Sequence, residues 1–277
     1  MTDARETRWP IVAVAMLSAI VGAANVGKLA PALPDLRADL QIGMVTGGWI
    51  VSVFAVVGLV LGVASGLVGD RFGAARTLAC GLVICAAGGL SGAFAASPPA
   101  LLLSRVAEGL GFVFIVVPAT KLIAGAAQGL TRRWVYGIWG THMPVSATLT
   151  ILAAPLVIDA VGWRGLWVAI ALLCLICLVP AIRVLDLTAP PHTTGAGASS
   201  IAHLGTILRV RGVWLAALIF AAYTLQWISL MIWLPTYLVE VHGLTIAMAA
   251  GLTAGVVAIN ISGNLAGGCE RASPIGR

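Results

Sequence analysis

The chain has 277 residues, 60% of them hydrophobic and 9% charged, with a formal net charge of +6. Soluble domains carry about 25% charged residues. A water-facing surface is therefore excluded, and the pattern is that of an all-α polytopic membrane protein with the lipid bilayer as its main solvent. The basic excess reads as loops facing anionic lipid, so no nucleic acid is expected as a partner.

Residues 1–8 are polar and include Arg5 and Arg8. The apolar run from Trp9-Pro10 to Leu33 is too long for a signal-peptide core and has no clear cleavage pattern, so it predicts a first transmembrane helix. A polar turn is expected over 35–43. Further spans are expected at 44–66, 76–96, 100–121, 134–158 and 165–185, with turns at 97–99, 125–133 and 159–164. Residues 1–185 thus form a six-helix bundle. Residues 186–211 are rich in Pro, Thr, Gly and Ser and read as a flexible cytoplasmic linker, in which metal binding by His192 and His203 is not expected. Spans at 214–239 and 244–268 fill most of the last unit, 212–277, making about eight transmembrane helices. Cys80, Cys85, Cys174 and Cys177 lie in apolar runs and read as small inert side chains.

Charge asymmetry orients the chain. With the N-terminus inside, the inner segments hold Arg5, Arg8, Arg71, Arg76, Arg132, Arg133, Arg183, Arg209, Arg211, Arg271 and Arg277, against Arg37 and Arg164 outside. The positive-inside rule then places the N-terminus in the cytoplasm. An internal repeat accompanies this topology. Leu33-Pro34, a polar turn and an apolar helix match Leu234-Pro235, a polar turn and an apolar helix. The repeat leads one to expect an acid–base stretch after Gly268. The residues there are Cys-Glu-Arg-Ala-Ser-Pro-Ile-Gly-Arg, so the reading is a second half truncated after its first two helices.

Ionisable residues inside membrane helices are functional candidates by default. Arg105 and Glu108, at i and i+3, share a face of the fourth span. At 1.5 Å per residue they lie about 9 Å and about 14 Å from its outer end, and Lys28 lies about 27 Å up the first span from the inner side. All three fall in the outer half of the membrane. Two cations and one carboxylate leave a net positive charge, suited to a small anion. Lys121, near the inner end of the fourth span, reads as a lysine whose amine reaches out to the interface. His142, about 14 Å into the fifth span, is suited to relaying a proton, to donating to a solute, or to bonding a carbonyl freed by Pro144. Trp139, one turn earlier, is a candidate cavity wall. Gly109, Gly111, Gly137 and Gly140 permit close helix contact, and Asn25, Gln226, Asn260 and Asn264 read as interhelix hydrogen-bonding groups or pathway residues.

Between the second and third spans stands Gly66-x-x-x-Asp70-Arg71-x-Gly73, followed by Arg76. Topology accounts for the arginines. It does not account for Asp70, which reads as an inner latch able to pair with a base from another helix. This stretch, the Arg105-x-x-Glu108-Gly109-x-Gly111 pattern and the six-helix repeat resemble the major facilitator superfamily over most of the chain. Ala74 and Ala75 stand where the family often has further basic residues. Residues 108–112, 139–144 and 162–167 look like its cyanate-transporter-like branch. The resemblance implies alternating access about a central site in a multi-pass protein of the bacterial inner membrane, with a small-molecule substrate and in many cases a co-transported proton. No Gly-x-x-x-x-Gly-Lys-Ser/Thr loop, cofactor motif, metal-ligand cluster or nucleophile–base pair is present, so a secondary carrier is expected rather than a pump or an enzyme. The leading expectation is a carrier of a small anion, cyanate-like or organic. The alternatives are an efflux carrier for drugs or cations, working through Glu108, and a truncated membrane protein that transports nothing. The pattern sets no oligomeric state.

Overall fold

A computed structural model describes residues 7–128, 131–187 and 209–269. Among these the regular elements are all helices: α1 (Trp9–Gly27), α2 (Leu29–Asp39), α3 (Met44–Phe72), α4 (Ala74–Ala93), α5 (Pro98–Ala126), α6 (Thr131–Trp139), α7 (His142–Val184), α8 (Arg211–Glu240) and α9 (Ile246–Cys269). Pro10 and Pro98 sit in first turns, where a missing N–H costs nothing. Seven stretches are long and apolar enough to cross a membrane. One of them, Thr131–Val184, has 54 residues. That is about 81 Å of helix against about 30 Å of hydrocarbon. It is bent at Gly162 (φ 73°, ψ 174°), so it makes two passes and the described residues make eight. Most of the expected linker and all but the first residue of the 269–277 tail lie outside the described residues.

The structure corrects three sequence expectations. The first span is not one helix to Leu33: α1 ends at Gly27, α2 begins at Leu29, and the expected turn at 35–43 is helical as far as Asp39. Pro31 supplies the reason, since it has no N–H to return to the carbonyl of Gly27. The fifth span is likewise split between Trp139 and His142, because Pro144 offers no N–H to the carbonyl of Gly140. The second span continues past Gly66 to Phe72, so Gly66, Asp70 and Arg71 are helical. The α3–α4 turn shrinks to Gly73, whose φ of 94° is a conformation that a side chain resists. The expected turn at 159–164 is present, narrowed to the bend at Gly162 within α7.

Two apolar clusters fill the six-helix bundle. One gathers Val14, Leu82, Ile115, Ile123 and Cys177 toward the α3–α4 turn. The other gathers Leu29, Leu36, Ile50, Leu101 and Trp167 toward the opposite end. A third, with Ala147, Ile151, Met231, Ile232 and Ala254, joins α7 to α8 and α9. The repeat-related prolines Pro34 and Pro235 line one cavity of about 120 Å³ at that junction. The tightest packing is α4 on α5. A Cβ at Gly111 would lie 2.6 Å from the amide nitrogen of Cys85 and 2.7 Å from the carbonyl of Gly81. Because the obstacle is backbone, it cannot rotate away. Gly111→Leu should therefore cost about 1–3 kcal/mol or more, read as a lower unfolding midpoint in detergent. An unchanged midpoint would mean that α4 and α5 do not approach so closely.

Candidate functional site

The break after Gly27 leaves Lys28 at the joint of α1 and α2, facing α5. There the three charges expected from sequence meet. Lys28 Nζ lies 2.6 Å from Glu108 Oε1, and Arg105 pairs with Glu108 Oε2. Arg105 also donates to the carbonyls of Asn25 (2.8 Å) and Ile50 (3.4 Å), and Lys28 to Asn25 Oδ1 (2.9 Å). Lys28 and Glu108 are 0% exposed and Arg105 is 1% exposed. Charges so buried persist only when paired and fully hydrogen-bonded. Aromatic faces add to this: Lys28 Nζ lies 4.4 Å from the Trp167 ring and Arg105 Cζ 4.8 Å from the Phe54 ring. The thiol of Cys85 donates to the Glu108 carbonyl at 3.5 Å, and Asn25 Nδ2 donates to Cys174 Sγ at 3.9 Å. The two basic groups and one carboxylate leave one positive charge in excess.

His142 and Trp139 form a separate pair. Their rings stack at 4.4 Å and 22°, and His142 Nδ1 lies 2.7 Å from the Trp139 carbonyl. Trp139 also packs against the apolar cluster near the α3–α4 turn. No hydrogen bond of His142 among the described residues reaches the triad.

At the α3–α4 turn, Asp70 does find a base on another helix. Lys121 Nζ of α5 lies 2.6 Å from Asp70 Oδ1 and 3.1 Å from the Gly66 carbonyl. Lys121 had no such role in the sequence reading. Its signal was an acid at one helix end and a lysine at the same level of another. Arg71 lies over the Phe72 ring, and Arg76 donates to the carbonyl of Leu187. A cavity of about 450 Å³ opens among Arg8, Asp70, Arg76, Lys121 and Asp186. At the other end, Asp39 accepts from Arg164 and, at 3.1 Å, from Trp163 Nε1, while Arg164 also donates to the Ala95 carbonyl at 3.1 Å. This second clamp was not read from sequence, because its acid and base stand in different turns.

Membrane-length helices around a buried ion triad define a polytopic membrane protein with a charged interior. The Major Facilitator Superfamily profile matches residues 14–270, and the chain belongs to that family. It is 23% identical over 270 residues to the hexuronate transporter of Bacillus subtilis, covering 94% of this chain and 64% of that one. It is 28% identical over 186 residues to the multidrug efflux pump LfrA of Mycolicibacterium smegmatis, covering 66% of this chain and 37% of the pump. The chain thus spans less than two thirds of the length of either relative. The structure of the proton:xylose symporter XylE shares the fold, with a TM-score of 0.69 at 13% identity over 95% of this chain and 68% of that one.

The two ion-pair sites differ in stability terms. Glu108→Gln strands two buried cations and should cost about 3–5 kcal/mol. Asp70→Asn breaks a pair whose side chains are 41% and 48% exposed, and should cost at most about 1 kcal/mol. Chemical unfolding in mixed micelles measures both, and an equal loss would contradict the difference in burial.

Proposed function

We propose that this protein works as a secondary carrier of a small organic anion in a bacterial inner membrane, by alternating access, with its N-terminus in the cytoplasm. The observation that carries the reading is the excess positive charge of the Lys28–Arg105–Glu108 triad. Each oxygen of Glu108 is engaged by a cation, so the carboxylate is a poor partner for a cationic solute. An anion would supply the counter-charge that the low-dielectric interior lacks. Glu108, holding both cations, is the group through which a co-transported proton would act. The segments similar to the cyanate-transporter-like branch and the likeness to a hexuronate transporter both support an anionic solute. The Asp70–Lys121 pair, with Gly66, Arg71, Gly73 and Arg76, would serve as the cytoplasmic gating stretch. Drug or cation efflux is the second reading, supported by the likeness to an efflux pump.

Arg105→Gln separates the two readings, since it leaves Lys28 and Glu108 as a neutral pair. In proteoliposomes, uptake of radiolabelled D-glucuronate should fall about tenfold or more at equal reconstituted protein. Retained uptake would overturn the anion reading, and retained export of a cationic dye would favour the second. Absence of any flux in the wild type would leave a membrane protein that transports neither.

A further inference from the structure

The seam where α6 and α7 meet α9 carries polar groups that the ion triad does not use. Asn264 of α9 lies against the turn between Trp139 and His142: a Cβ at Gly140 would be 3.2 Å from Asn264 Oδ1. Asn264 Nδ2 donates to the backbone carbonyl of Asn260 at 3.0 Å and to its Oδ1 at 2.7 Å. A carbonyl only accepts, so the Asn264 amide is oriented with Oδ1 toward Gly140. Tyr223 OH of α8 donates to Asn260 Oδ1 at 3.3 Å. The same reasoning applies to His142. Its Nδ1 faces the Trp139 carbonyl at 2.7 Å and therefore carries a proton, which in the neutral form of the ring leaves Nε2 as a lone-pair acceptor. Stacking on Trp139 holds the plane of that ring.

Three hydrogen-bonding positions are thus uncommitted among the described residues: Nε2 of His142, Oδ1 of Asn264 and Nδ2 of Asn260. All three side chains are half-buried. None carries a permanent positive charge, so the set does not suit a carboxylate. A hydroxyl group both donates and accepts, and two acceptors and a donor on the neighbouring helices α7 and α9 match it. The level of the seam relative to the triad follows from contacts of α7 with α1. Along α1, Ser146 of α7 donates to the Ile20 carbonyl at 2.6 Å, and Thr150 packs against Gly27. His142, one turn before Ser146, is therefore displaced from the level of Lys28 toward the α3–α4 turn.

We propose that His142, Asn260 and Asn264 form a hydroxyl-recognising subsite, so that the carried solute is a polyhydroxylated organic anion of the sugar-acid class and not a bare inorganic anion. This inference rests on the anion-carrier reading above, and the test separates the two. Binding to the purified protein in detergent is measured by calorimetry for three kinds of six-carbon probe: D-gluconate and D-galactonate (charge and hydroxyls), hexanoate (charge alone), and glucitol and galactitol (hydroxyls alone). At least one aldonate should bind about tenfold or more tighter than hexanoate. His142→Phe keeps the stack on Trp139 and removes the acceptor, and Asn264→Leu removes the amide at near-constant volume. Each should erase most of that preference while leaving hexanoate binding and the unfolding midpoint unchanged. The subsite is overturned if hexanoate binds as tightly as the aldonates, if either variant weakens both kinds of anion alike, or if no hydroxylated probe binds. If the alditols bind as tightly as the aldonates in a His142-dependent way and hexanoate does not bind, the subsite stands and the anion reading falls.

Discussion

One carboxylate shared between two cations organises the interior of this protein. Glu108 gives one oxygen to Lys28 and the other to Arg105, and the three side chains are shielded from solvent on every side. In such a medium an unpaired charge costs several kcal/mol, so the surrounding chain is arranged around satisfying this set. The break between α1 and α2 positions Lys28, and the amide and carbonyl of Asn25 receive both cations. The rings of Trp167 and Phe54 take the remaining cationic faces. Glycines on α4 and α5 let those helices approach until a backbone carbonyl of α5 meets the thiol of Cys85. The triad sits where the two apolar clusters of the bundle meet, which makes it both a structural hub and the charged centre proposed to meet a solute.

The ends of the bundle follow a different rule. Asp70–Lys121 at one end and Asp39–Arg164 at the other are half-exposed pairs, worth little in stability. Each ties helices that are distant in sequence, α3 to α5 and α2 to α7, near points where the backbone bends at Gly73 and Gly162. Weak ties beside bends can open without unfolding the helices they join, whereas the buried triad cannot be broken so cheaply. The alternating access proposed above would use that contrast.

Much of this was readable from residue order. The eight crossings of the described residues follow from apolar runs and their punctuation. The candidate triad follows from the rarity of charge inside such runs, and the singling out of Asp70 from an acid where topology favours bases. Pro31 and Pro144 carried the signal for the two helix breaks that the hydropathy pattern passed over, because a missing N–H is felt four residues earlier. The pairing of Lys121 with Asp70 was not legible, since interfacial lysines are common and the partner lay 51 positions away. The Asp39 clamp was invisible for the same reason: its members meet only across helices.

Composition and periodicity by themselves determined that this chain lives in a bilayer, how often it crosses, and which side chains stand in conflict with that solvent. These are local properties, set by a run of about 20 residues against the thickness of the hydrocarbon. The tertiary structure decided how each conflict is resolved: that Glu108 serves Lys28 and Arg105 at once, that Asp70 takes Lys121 and not an arginine, and that His142 turns to the carbonyl of Trp139 and away from the triad. Pairing depends on the rotation and packing of whole helices, which interhelix contacts fix and residue spacing alone does not.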